Sequence, residues 1–532
     1  MARPRRRSRR ASSPAEHRAP SGGDRARVPE PIGEVHGVDA ANLPDIVEAG
    51  TPPELGGARG ARAMVRATAR LSVLAAVVGI AAGLGTAVFI TGLNLVVSGV
   101  DNVRSSLAWW LIVIFPPIGG LAVGLLLWRA DRVAFVSACG TDSFIDAVEE
   151  ADGRIPRRVP ILRTVGAWLT IGFGGSSGRE CPMIYTGSGL GSTVAMTLEG
   201  WRARAPRPVA AFLDLSPADT RMLAICGAAG ALGAVFSAPF GGAIFAVEVP
   251  YRRDIDMGIF IPALVSSLTG FAVGALLVGR QRLLDASGVH ALTWQEWVLV
   301  ALIAGAASLV ARLFAWWFNH FHDVVRHTRE RHRLPAWAQP ALGGLLAGLV
   351  MLAFPQVYGI GEQAVRDIAD GRLFTGHTLA VATLLFVGLG LAKMAATAFT
   401  VGTGGVGGLL FPSFFVGAAL GGLAANLSHG LDPGPFSNHL AIVLIAMSAT
   451  YAAAGKVPLA ALLLLCEATA ATGNVALVLP LMAANLVAFA LSGRPSVYDV
   501  QRETSARHHR GYGLALCVLV AVVLLNHFVV TL

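Results

Sequence analysis

Glu180 is the side chain in this sequence with the clearest chemical potential. It stands beside Arg179 in "GFGGSSGRECPMIYTGSGLGS" (172–192), a glycine-rich stretch in apolar surroundings. An ionisable group inside a membrane-like segment is a functional hypothesis by default. The plain alternative is a structural salt bridge with Arg179. That is weakened because adjacent residues on a helix do not face each other. A glycine-rich lead with Pro182 in the first turn marks a helix start. The first backbone N–H groups there lack internal partners and carry about half a positive charge. Such an end can hold an anion weakly enough to release it. An ionised Glu180 in that place imitates the anion and competes with it. Protonated, it loses that attraction and swings away.

A second stretch repeats the pattern. Shifted by 230 residues, the first meets "GTGGVGGLLFPSFFVGAALGG" (402–422). Gly172, Gly174, Gly175, Gly178, Pro182, Gly187, Leu190 and Gly191 fall on Gly402, Gly404, Gly405, Gly408, Pro412, Gly417, Leu420 and Gly421. Downstream, "APFGGAIFAVE" (238–248) aligns with "VPLAALLLLCE" (457–467), so Pro239 and Pro458 precede Glu248 and Glu467 by equal intervals. Two internal repeats follow from this. Any one glycine could simply serve close helix packing. Eight matches in register ask for more. Two such starts aimed at one spot would make an anion site. The rival reading, a phosphate-cradling loop, fails because no strand precedes "GFGGSSG" and no Lys-Ser/Thr follows it.

The elements that must carry these starts are helices in lipid. Of the 532 residues, 54% are hydrophobic and 14% charged, and the mean hydropathy is +0.60. Soluble domains carry roughly 25% charged residues. "LSVLAAVVGIAAGLGTAVFITGLNLVV" (71–97) exceeds the roughly 20 apolar residues a spanning helix needs. The reading is an all-α polytopic membrane protein. Several apolar segments are too short to span or are broken by Gly and Pro. Broken helices survive in a bilayer only where buried or lining a cavity. The net charge of +9 is concentrated in places, beginning with "RPRRRSRR". Residues 1–62 read as a disordered basic cytoplasmic tail. "YRRD" (251–254) and "RHTRERHR" (326–333) suggest further cytoplasmic ends. Residues 63–280 form the first membrane repeat and 281–510 the second, which ends in a helix carrying Tyr498. Residues 511–532 form an extra apolar helix long enough to span. The five cysteines (139, 181, 226, 466, 517) have neither metal spacing nor a disulfide framework.

These residues resemble the CLC family of chloride channels and chloride/proton antiporters. "GRECP" (178–182) resembles its G-R/K-E-G-P motif with Cys181 in place of glycine. "GLLFP" (408–412) resembles G-x-F-x-P with Leu410 where phenylalanine is usual. "SAPFGGAIFAVE" is similar to the helix with the A-P-x-x-G pattern, and "GRPSVYDVQ" (493–501) to the last motif. The resemblance implies a fold of two inverted-topology repeats with tilted and broken helices, in a homodimer with one pore per subunit. It implies Glu180 as gate. It implies chloride ligands in the amides of Leu409 and Leu410 and the hydroxyl of Tyr498. A more external site would use amides around Arg179, Cys181 and Phe411. No cofactor and no nucleic-acid partner is expected; the partners are chloride, other halides or nitrate, and membrane lipid. The expected location is the bacterial plasma membrane, with a cytoplasmic N-terminus.

Three departures bear on mechanism. "ACGTD" (138–142) stands where the family has G-S-G-I-P, so Cys139 replaces the anion-contacting serine, and a thiol is a weaker donor. Asp142 reads as a helix cap. Val249 stands where antiporters commonly carry an internal proton-transfer glutamate, and valine relays no protons. Glu248, just before it, reads as structural. No counterpart of the paired nucleotide-binding regulatory domains of some members is expected. The expectation is therefore channel-like chloride conduction gated by Glu180, with chloride/proton exchange on the same scaffold as the alternative. A membrane scaffold or polytopic enzyme is more distant: His439 reads as interfacial, and no catalytic set is visible.

Overall fold

The computed structural model describes residues 58–130, 139–286, 288–332, 334–431, 438–469 and 474–504. The expected tail and the 511–532 helix lie outside these apart from residues 58–62. The chain divides into Met1–Ala61 and Arg62–Leu532. Apart from the first turn of the first helix, every described helix belongs to the second unit.

The helices are α1 (Ala58–Ser105), α2 (Phe115–Ala130), α3 (Gly140–Glu150), α4 (Arg158–Gly172), α5 (Glu180–Arg202), α6 (Arg207–Phe212), α7 (Pro217–Phe236), α8 (Pro239–Glu248) and α9 (Phe260–Val278). They continue as α10 (Trp294–His332), α11 (Gln339–Ala353), α12 (Glu362–Ala369), α13 (Leu379–Gly402), α14 (Leu410–Leu431), α15 (His439–Gly455), α16 (Pro458–Ala468) and α17 (Val475–Leu491). Among the described residues there are isolated bridges but no strand. Among the described residues, eight helical stretches are long and apolar enough to cross a membrane. α8 and α16, with 10 and 11 residues, are too short to span alone. This is the all-α polytopic fold that the composition predicts.

The inverted repeats appear as reciprocal hydrogen bonds. The Gly178 N–H donates to Gly408 O at 2.9 Å, in an antiparallel bridge between the two glycine loops. Ser176 N–H donates to Thr400 Oγ1 (3.1 Å), and Val406 N–H donates to Thr170 Oγ1 (3.0 Å). Each bond is the other's image under the 230-residue shift. The loops turn alike: Gly174 and Gly404 both take positive φ, +87° and +106°. That region favours glycine because a Cβ would clash there.

The two prolines and glutamates behave likewise. Glu248 ends α8 and accepts the N–H groups of Leu459 (3.2 Å) and Ala460 (2.7 Å) at the start of α16. Glu467, one residue before the end of α16, accepts those of Phe240 (3.2 Å) and Gly241 (2.7 Å) at the start of α8. Each short helix thus has its orphan donors satisfied by a carboxylate from its repeat partner. Close packing repeats as well. Gly187 of α5 sits against the Gly227 carbonyl of α7, and a Cβ on Gly417 of α14 would lie 2.6 Å from the Ala446 carbonyl of α15.

Three features depart from expectation. α10 continues through most of the basic stretch to His332, so that charge rides on a helix. α12 has the sequence "EQAVRDIA", amphipathic and charged; a search for apolar runs passes over it. Tyr498 is not on a helix. It lies in an irregular segment after Gly493 and Pro495, and any continuation past Thr504 lies outside the described residues.

Candidate anion pathway

α5 and α14 start at Glu180 and Leu410, immediately after the paired loops. Glu180 is fully buried. Its carboxylate folds back over Gly178, so a methyl group there would collide with Oε2 and would lie 3.2 Å from Phe411 Cβ. The carboxylate accepts no hydrogen bond from another residue among those described. Arg179 does not neutralise it by direct pairing. Its guanidinium binds Glu362 of α12 at 2.9 Å instead. The salt-bridge alternative for Glu180 therefore fails, and the reason is directional: successive side chains on a helix start diverge.

Beside Glu180 the second helix start meets sulfur. The Cys181 thiol lies against the backbone N–H groups of Leu409 and Leu410, the Thr141 hydroxyl and the Cys139 thiol. A Cβ on Gly408 would be 2.7 Å from its Sγ. Cys139 precedes α3 and bridges in parallel to Gly407. Cys139, Cys181, Leu409, Leu410 and Phe411, far apart in sequence, thus converge on one buried place. Expectation put only the Cys181 amide in the site; the structure puts its side chain there too. Cys139, Cys181, Cys226 and Cys466 are buried and form no disulfide among the described residues, and Cys517 lies outside them.

Tyr498 is fully buried, and its hydroxyl lies 3.2 Å from that of Tyr451 on α15, within electrostatic reach of both thiols. Its irregular segment is held by named bonds. Tyr498 N–H donates to Ser496 Oγ (3.1 Å), and Ser496 donates to Gln501 Oε1 (2.6 Å). Gln501 Nε2 donates to the carbonyls of Val249 (2.8 Å) and Gly455 (2.9 Å). A cluster around Arg221 ties this segment to α3. Arg221 donates to Glu149 (2.6 Å), Tyr251 (2.8 Å) and Asp256 (3.2 Å), while Arg502 donates to Glu150 at 2.9 Å. Burial, opposed by Arg221 and reinforced by Glu149, pushes the Tyr251 phenol up to about 12, so it remains a neutral donor to Glu149. Tyr498 and Cys139 are thus positioned by one ionic framework.

Other predicted roles sort cleanly. Val249 is fully buried and contributes no ionisable group. Glu248 is a structural partner, as expected. Asp142 makes no capping bond to α3, although it sits in the first turn; its Oδ1 is buried without a hydrogen-bond partner among the described residues. Its position inside the turn, rather than before it, denies it the capping geometry. His439 is bound to the Ile368 carbonyl at 2.8 Å.

Sequence reasoning missed Lys393 and Tyr451. Lys393 is fully buried on α13. Its ammonium donates to the carbonyls of Gly359 (3.1 Å) and Ile360 (2.9 Å), lies 4.9 Å from the Phe415 ring centroid, and feels the charge of Glu180. A signal was present: Lys393 and Lys456 are the only lysines in a chain otherwise supplied with arginine.

Two inverted helix starts enclosing a buried, amide-lined place, with a carboxylate over it, define a membrane anion-transport protein. The family model described as voltage gated chloride channel matches residues 119–493, and the chain belongs to this CLC family. Its class of function is chloride transport of the CLC type, in a multi-pass integral membrane protein. A ClcB-like chloride channel protein of Ralstonia nicotianae is 30% identical over 442 residues, covering 80% of this chain and 95% of its own. Two solved structures share the fold at 22% identity. A slow cyanobacterial Cl-/H+ antiporter has a TM-score of 0.66, covering 81% of this chain and 96% of its own. A CLC-type fluoride/proton antiporter has a TM-score of 0.63, covering 82% and 98%.

Proposed function

We propose that the chain conducts chloride passively, with Glu180 as its gate. The observation that carries this is the buried Glu180 carboxylate lying over Gly178 beside the start of α14, paired with no other side chain. Ionised, it occupies the place that the helix ends favour for an anion. Protonation removes its attraction to those ends, and chloride takes the berth. Chloride then passes to the amides of Leu409 and Leu410 and the Tyr498 hydroxyl. Partial charges on N–H and O–H groups hold it without the deep trap of a full cation. Amides around Arg179, Cys181 and Phe411 serve the outer position. Halides and nitrate share these ligands.

Val249 supports uncoupled flow, because it puts an aliphatic side chain where a proton relay would need a titratable one. The same scaffold with water bridging that position would exchange chloride for protons; likeness to two antiporters keeps this as the second reading. The working unit is a homodimer with one pathway per chain, in a bacterial plasma membrane. Residues 63–280 and 281–510 are its two repeats, and the basic N-terminus is cytoplasmic. No catalytic role, cofactor or nucleic-acid partner enters this reading.

Liposomes holding the purified protein test it. An imposed chloride gradient, with charge compensated by valinomycin and potassium, should drive chloride flow and move no protons. Stoichiometric uphill proton movement would overturn the uncoupled reading in favour of exchange.

A further inference from the structure

The second of the two lysines lies away from the anion pathway. Lys456 is 2% exposed and takes a left-handed backbone, with φ of +57°. It caps the C-terminus of α15 in the conformation that Ser237, with φ of +54°, takes at the end of α7, so the turn belongs to the repeat and the lysine does not. Its ammonium donates to Ser492 Oγ at 2.6 Å and sits 6.0 Å from the Phe489 ring centroid. No carboxylate pairs with it among the described residues. Arg252, Arg253 and Arg312 are near enough to repel its charge.

Lys456 is on the wall of a cavity of 330 Å³ that also has Arg252, Arg253, Phe489, Arg494 and Glu503 around it. Four cationic side chains thus line the cavity with one carboxylate, Glu503, while Asp499 lies beside it, 3.9 Å from Arg252. Glu503 is shared, 3.5 Å from Arg252 and 4.0 Å from Arg253. Arg252 Nε is buried without a hydrogen-bond partner, and Arg494 has no ion pair among the described residues. None of Glu180, Cys139, Cys181, Leu409 or Tyr498 lines the cavity.

Hydrophobic residues would pack this place as well, so packing does not account for the like charges gathered around a buried lysine. We propose that this cavity binds a phosphate-bearing anion, either a phospholipid headgroup or a soluble phosphate compound. Arginine forks match phosphate oxygens in bidentate fashion, and the buried ammonium supplies a point charge beneath them. The site adjoins the segment that carries Tyr498. Arg252 donates to the Asp499 carbonyl at 3.0 Å, and Arg494 stands four residues before the tyrosine. An occupant would brace that segment.

The full chain in detergent is titrated with pyrophosphate, and the full chain in nanodiscs of phosphatidylcholine with or without phosphatidylglycerol is analysed by native mass spectrometry for retained lipid. Wild type should bind pyrophosphate, retain phosphatidylglycerol over phosphatidylcholine, or both; whichever probe binds identifies the source. Arg253→Gln and Arg494→Gln should each weaken that binding about fivefold, at about 1 kcal/mol per charge. Both arginines are surface-accessible, and chloride flux in phosphatidylcholine vesicles checks that the variants fold. Absence of binding by both probes would overturn the proposal. So would binding that both substitutions leave unchanged. Neither result touches the chloride pathway, which is read by flux.

Discussion

The two glycine-led starts share a backbone and differ in side chains. Gly178–Pro182 reads Gly-Arg-Glu-Cys-Pro; Gly408–Pro412 reads Gly-Leu-Leu-Phe-Pro. Their loops exchange matching hydrogen bonds and matching glycine turns. Yet the first carries every ionisable and sulfur-bearing side chain, and the second contributes bare amides. In the proposed function, the symmetric backbone builds a place for an anion, and the asymmetric side chains decide when it is open. The same division separates Glu248 and Glu467, symmetric and structural, from Glu180, which has no counterpart because Leu410 stands in its place.

The largest effect should come from breaking the symmetric part. Glu248→Ala leaves two buried N–H groups at the α16 start without their acceptor, at about 1.5–3 kcal/mol for each charged hydrogen bond. Thermal unfolding in detergent should show a severe loss of apparent Tm or no folded protein. Glu467→Ala should be milder, since Glu467 is less deeply buried. Equal effects would mean that the two caps are energetically alike.

Breaking the asymmetric part should spare the fold. Acidification protonates Glu180 and frees the berth, so wild-type chloride flux should rise as pH falls. Glu180→Ala should give high flux with that pH dependence gone. Gly178→Ala should resemble it, because the new methyl collides with the flexible end of Glu180 rather than with backbone. A Gly178→Ala protein with wild-type pH dependence would show that the carboxylate does not rest there.

Smaller effects should come from sulfur. Cys181→Gly withdraws a thiol from the Leu409 and Leu410 amides and should raise chloride flux a few-fold. Cys139→Ser offers a better donor and should shift preference toward chloride over nitrate in anion-exchange flux assays. No change in either variant would remove the thiols from the permeation path.

Much of this was legible beforehand. The fold class followed from apolar lengths, and the repeats from eight matched positions, because helix starts need glycine and proline at fixed places. Glu180 stood out because lipid makes any carboxylate conspicuous. What stayed hidden depended on three-dimensional proximity. Cys139 and Cys181 are 42 residues apart and touch only because α3 and α5 start side by side. Arg179 finds Glu362 on a charged helix that an apolar search overlooks. Lys393 hides in a long apolar run, its charge spent on loop carbonyls rather than on a carboxylate. The Tyr498 segment could not be recognised as irregular from its motif, since its shape is set by bonds to Val249 and Gly455 from distant helices.

The central claim is that the two helix starts hold a halide for which Glu180 competes. Crystals grown in bromide test it most directly, through anomalous scattering from wild type and Glu180→Ala. The account predicts a bromide peak among the Leu409 and Leu410 amides and the Tyr498 hydroxyl in both, and a second peak at the vacated carboxylate position in the variant alone. Bromide found only outside the paired glycine loops, or an unchanged pattern after removal of the carboxylate, would contradict it.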